Sequence, residues 1–155
     1  VPAFDQALVQ NVCSGKIRSW DDVPGAKQKG TIDLFVRTPA SGTQDAFDKI
    51  FMSPLKIFSG ASQKASNGLV QQSVKSDKAG VGYVSEAFTK GLSVATYKGV
   101  PCTLRNAKSG QYGGVRNFYF VTRGAANGAA KKWIKWVRSN PAALKIAASE
   151  WVPFK

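Results

Sequence analysis

The segment Arg37-Thr38-Pro39-Ala40-Ser41-Gly42-Thr43 carries the groups that can hold an oxyanion. The Arg37 guanidinium can grip two oxygens at once. Ser41 and Thr43 offer hydroxyls, and Gly42 lets a ligand approach the backbone closely. If a helix starts here, its first N–H groups, near Gly42 and Thr43, lack internal partners and carry the positive end of the helix dipole. Donors of these kinds aimed at one point suit a tetrahedral oxyanion. A plainer reading stands beside this one. Ser-Gly-Thr can be a helix cap alone, and Arg37 can pair with a surface carboxylate.

The neighbouring residues supply the elements such a loop needs. Thr31-Ile32-Asp33-Leu34-Phe35-Val36 is β-branched and aromatic and reads as a buried strand. After the loop, Phe47, Ile50 and Phe51 share one face of a helix expected over 42–52. Ser41 is a good N-cap, and Gln44 three residues on completes a capping box.

Further along, Phe4 to Val12 reads as a helix closed by Ser14-Gly15. Trp20 to Gly25 is rich in turn formers. Its Asp21-Asp22 pair could bind a metal or move a proton, but caps and turns use aspartate far more often. Residues 53–66 read as irregular, 69–74 as a short helix, 79–84 as a strand whose glycines permit close packing. Gly80-x-Gly82 lacks the third glycine and the helix of a nucleotide loop. Residues 86–90 add a helical turn and 92–97 another strand. Residues 99–116 read as an extended crossing segment. Asn117 to Thr122 is a strand candidate. Asn127 to Arg138 reads as a helix with Ala130, Trp133, Ile134 and Val137 inward. Asn140-Pro141 restarts a second helix. Strands alternating with helices favour an α/β lobe, where ligands bind at the carboxyl ends of strands. Arg37, Ser41, Gly42 and Thr43 fall at such a place.

Composition narrows the chemistry. The 155 residues suffice for one domain with a core, and 43% of them are hydrophobic. The chain opens Val1-Pro2, with neither Met nor a signal peptide, and reads as a processed or excised piece. Lys and Arg number 22 against 9 acids, a net charge of +13 that attracts anions. Only Lys131, Lys132 and Lys135 cluster, on what reads as a solvated helix face. There is no histidine, the commonest general base and metal ligand. Cys13 and Cys102 are either a disulfide or two buried thiols. As a disulfide they would close a loop of about 90 residues, contributing on the order of 4 kcal/mol. No metal or cofactor is expected.

Several segments together resemble one family. Cys13-Ser14-Gly15-Lys16-Ile17-Arg18-Ser19-Trp20 and on to Gly25 is similar to the FSGKI-x-x-W-x-x-x-x-G segment of the phosphate-binding proteins of bacterial ABC transporters. Arg37-x-x-x-Ser41-Gly42-Thr43 looks like their R-x-x-x-S-G-T. Asn67-Gly68, then Val74-Lys75-Ser76-Asp77-Lys78-Ala79-Gly80-Val81-Gly82-Tyr83-Val84, resembles their VKSDKGAIGYV strand. Arg116 to Phe120, Trp133 to Val137 and Trp151-Val152-Pro153 resemble their closing segment.

The resemblance implies one lobe of a type II periplasmic-binding-protein-like fold, α/β, with a mixed sheet, flanking helices and C-terminal helices, over 1–155. It implies that Arg37, Ser41, Gly42 and Thr43 contact inorganic phosphate. It implies an exported protein, periplasmic or extracellular, membrane-anchored or not at full length, that hands phosphate to a membrane permease. Family members are about twice this length. The N-terminal lobe they carry adds donors and an aspartate that accepts a phosphate proton, and no residue here matches those positions. Two other classes compete. A basic polyanion or nucleic-acid binder would use the +13 charge, but Phe47, Phe51, Phe118 and Trp133 fall on expected core faces. An enzyme could use Asp45 and Asp48, one turn apart, but Lys49 beside them reads as an ion-pair partner. No enzyme and no nucleic-acid partner are expected.

Overall fold

A computed structural model describes residues 3–152. Val1, Pro2 and Pro153, which the sequence reading used, lie outside the described residues. Two compact units divide the chain, one up to Gly114 and one from Val115 onward.

The first unit opens with α1 (Gln6–Cys13), capped by Asp5, whose side chain accepts from Leu8 N at 2.7 Å. β1 (Asp33–Arg37) follows, then α2 (Gly42–Phe47), which runs directly into a wide π turn over Asp48–Met52. β2 (Ser62–Lys64), α3 (Asn67–Ser76), β3 (Gly80–Gly82), a 3₁₀ turn (Glu86–Phe88) and α4 (Leu104–Ser109) complete it. The sheet order is β2-β1-β3, with β1 central. Both pairings are parallel, Phe35 lying opposite Ser62 on one side and Gly82 on the other. The described sheet is thus parallel throughout rather than mixed, because a helical crossover follows each strand where a hairpin would reverse it.

Alternation along β1 sorts its two faces. Leu34 and Val36 are buried with Val9, Cys13 and Met52, sandwiched between the sheet, α1 and the π turn. A second cluster joins Val12, Trp20, Val23 and Ile32. Trp20 Nε1 donates to Ala79 O at 2.8 Å, tying the early loop to the entrance of β3. The glycines of β3 do pack closely: a Cβ on Gly82 would lie 2.7 Å from Phe35 O and 2.9 Å from Val70 Cγ1.

Asp21 proves to be a turn residue. Its carboxylate accepts from Gly30 N at 2.8 Å and from Ser19 Oγ at 3.0 Å, and pairs with Lys29 at 3.0 Å. The backbone bond from Gly30 above all, then Lys29 and Ser19, lowers its pKa from 3.8 to about 2. The folded value lies below the ordinary one, so Asp21 contributes fully above about pH 4. That contribution drains away as pH falls through about 2. Asp21→Asn therefore flattens the acid side of the stability profile, which urea melts between about pH 4 and pH 2 will show.

Four sequence expectations change. Residues 53–66 are not wholly irregular, since Ser62–Lys64 forms the edge strand β2. Residues 92–97 form no strand; only Tyr97 bridges, to Phe4 and Val100. The 99–116 stretch contains α4, opened by Thr103, which accepts from Asn106 N, and closed by Gly110 at φ 78°. Residues 117–122 form no ladder among the described residues. Strand propensity needs a partner strand to act on.

The second unit is built on α5 (Gly128–Ser139) and α6 (Pro141–Glu150). Asn140 links them, its Oδ1 accepting from Ala142 N and Ala143 N at 2.9 and 3.3 Å, with Pro141 in the first turn. Trp133, expected inward, is 56% exposed, and Phe118 is 50% exposed. Phe120 meets Trp133 edge-on at 5.3 Å, and Phe118 meets Trp151 at 4.5 Å. Among the described residues no helix is long and apolar enough to cross a membrane.

Candidate functional site

All three parallel strands end on the same side of the sheet, and three loops leave from there. Arg37 is the last residue of β1, on the face opposite Leu34 and Val36. Its Nε donates to Lys64 O at 3.3 Å and its Nη2 to Ala65 O at 2.9 Å. The guanidinium is therefore laid across the end of β2. Among the described residues no carboxylate lies within ion-pair distance of it. The plainer reading, a surface ion pair, does not hold. A half-buried cation whose bonds go to neutral carbonyls keeps its full charge available to an anion.

Ser41 caps α2 as expected. It is buried, and its Oγ accepts from Thr43 N at 3.1 Å and Gln44 N at 3.3 Å. This changes one expectation. The Thr43 N–H already has a partner, whereas the Gly42 N–H makes no hydrogen bond among the described residues. The capping box does not close either. Ser41 N donates to Thr38 O at 3.0 Å, and the Gln44 side chain turns inward. Gln44 Nε2 donates to Asp48 Oδ1 at 2.9 Å, and Gln44 Oε1 accepts from the Tyr83 hydroxyl.

Tyr83 is a residue that sequence reasoning passed over. It follows β3 directly and stacks on Phe47, ring centroids 3.8 Å apart. Its hydroxyl accepts from Arg37 N at 3.1 Å while donating to Gln44. One phenol thus clasps the end of β1 to the first turn of α2. Burial pushes its pKa well above the ordinary tyrosine range, so it stays a neutral donor. Asn67, quoted only as part of a family resemblance, and Ser85 were given no role in the site. Ser85 Oγ lies 3.5 Å from Thr43 Oγ1 and accepts from Asn67 Nδ2 at 3.3 Å. The signal that could have found them is positional: each stands just past the end of a strand.

The whole arrangement is donors and one cation at the carboxyl edge of a parallel sheet. A family model described as the PBP superfamily domain matches residues 2–141. The chain belongs to the PBP superfamily. Its relatives include the phosphate-binding protein PstS of Bacillus subtilis, 24% identical over 144 residues, covering 92% of this chain and 47% of that protein. The chain spans about half the length of the curated relatives it matches. Two solved structures share its fold. One is an ABC-type phosphate transport receptor from Vibrio cholerae, 21% identical with a TM-score of 0.79, over 99% of this chain and 65% of that one. The other is a proposed phosphate ABC transporter substrate-binding protein from Clostridium perfringens with bound phosphate, 19% identical with a TM-score of 0.81, over 99% and 63%.

In this superfamily member the cysteines are not joined. Cys13 is buried in the core beside Met52, and Cys102 is half-buried near Tyr112; both are free. Of the two readings of the pair, thiols are what the fold contains. Burial, reinforced by Asp48, pushes the Cys13 thiol up to about 12, which makes it inert at neutral pH. The two helix aspartates have separate partners, Asp45 on Lys49 at 2.9 Å and Asp48 on Gln44. They do not form a carboxylate pair. Among the described residues no three His, Cys, Asp or Glu side chains gather to hold a metal.

Proposed function

We propose that the chain is the phosphate-recognising part of an exported solute-binding protein for ABC-type phosphate uptake. Its task is capture of inorganic phosphate without chemical change. The observation that carries this reading is Arg37, held by two carbonyls and with no described carboxylate in ion-pair range, at the same carboxyl edge of the sheet as the open Gly42 N–H and the hydroxyls of Ser41 and Thr43. An oxyanion with several acceptor oxygens matches donors of this kind. The printed identities of the relatives, phosphate-binding and phosphate-transport proteins, point the same way. Arg37, Ser41, Gly42 and Thr43 are the residues assigned to the anion.

The rest of the reading follows from it. A membrane permease receives the phosphate, and the protein works in the periplasm or at the outer surface. A further lobe completes the clamp, so this chain binds phosphate weakly, because closure and exclusion of water are incomplete. Calorimetric titration with inorganic phosphate tests the proposal, with single-stranded DNA as the competitor. Saturable phosphate binding that DNA does not displace is expected. DNA binding whose logarithm falls linearly with the logarithm of salt, without phosphate saturation, would replace this reading with a polyanion binder.

A further inference from the structure

Ser85 joins two helix starts that are distant in sequence. Thr43 lies in the first turn of α2 and Asn67 in the first turn of α3, and both reach Ser85 Oγ, at 3.5 and 3.3 Å. The Asn67 amide donates into the Ser85 oxygen. The Ser85 proton therefore cannot point back at Asn67, while either hydroxyl can donate in the contact with Thr43. Asn67 does this at a cost. Its Oδ1 is buried and has no hydrogen-bond partner among the described residues. A buried carbonyl oxygen left unpaired is uncommon and calls for a reason. An apolar side chain of similar size would remove that cost, and with it the bond that aims Ser85.

We propose that Ser85 is a positioning residue of the anion site, and that Asn67 is retained to fix its hydroxyl. Ser85 holds Thr43, and with it the amino end of α2, against α3, and turns one more donor toward the anion. This rests on the phosphate reading of Arg37 and Gly42. It adds a third loop, the one after β3, to the two that follow β1 and β2.

Titration of the 155-residue chain with inorganic phosphate tests it, each variant also being melted. Ser85→Ala weakens binding about ten-fold, the loss of one anion-directed hydrogen bond. Its melting temperature stays within a few degrees. Ser85→Thr, which keeps the hydroxyl, restores affinity. Asn67→Leu weakens binding in the parent chain and has no added effect on Ser85→Ala, since both act through one hydroxyl. If the parent binds phosphate and loses it on Arg37→Ala, yet Ser85→Ala binds as the parent does, this inference alone is overturned. If the parent gives no phosphate response, the anion site falls and this inference with it.

Discussion

Arg37→Ala abolishes measurable phosphate binding by the chain, lowering affinity about 100-fold or more. Two charge-assisted hydrogen bonds to one anion contribute roughly 1.5–3 kcal/mol each, and every 1.4 kcal/mol is about ten-fold. Arg37→Lys keeps the charge but loses the planar fork, and recovers only part of the affinity. The stability cost is smaller. The lost bonds run from Arg37 to Lys64 O and Ala65 O at the edge of the sheet, where water can take their place. A melting temperature lowered by a few degrees alongside a hundred-fold binding loss separates recognition from folding. Calorimetry and a thermal melt on the same sample measure both.

Gly82→Ala does the opposite: it acts on the fold first. The new Cβ would stand 2.7 Å from Phe35 O, in the backbone of the central strand, and 2.9 Å from Val70 Cγ1. Val70 is fully buried on α3 and cannot withdraw. β3 must move off β1, and overpacking of this kind costs about 1–3 kcal/mol or more. The expected fall in melting temperature is on the order of 10 °C. Phosphate binding weakens with it, because Tyr83 and Ser85 follow Gly82 directly and depend on where β3 lies. Gly113→Ala is the control. A Cβ there meets nothing within 4 Å, and its stability should stay within about 0.5 kcal/mol of the parent.

The frame of the site was legible because it lies where local rules and tertiary needs agree. Asp33–Arg37, Ser41 as cap and the helix after it follow from a β-branched run, a cap residue and an apolar helix face. What escaped was set by pairing. Ser62-Gln63-Lys64 carries no apolar alternation, and becomes a strand only because β1 offers it an edge. Without β2 there was no way to see that the Arg37 head would rest on Lys64 O and Ala65 O. Residues 117–122 err in the other direction, with strand composition and no ladder among the described residues. Trp133 shows that helical periodicity marks an apolar face without saying that the face is covered. Thr103 and Gly110 were readable caps, and α4 between them is too polar to attract notice by hydrophobicity alone.

The central claim is that phosphate sits between the Arg37 fork and the open Gly42 N–H at the start of α2. Backbone amide resonances of the chain, followed through a titration with inorganic phosphate, test it most directly. The account predicts that the Gly42 amide shifts furthest and saturates, with Thr43 and the Arg37 Nε signal moving at the same midpoint. Shifts confined to the lysines of α5, or spread evenly over the basic surface while Gly42 stays still, would contradict it.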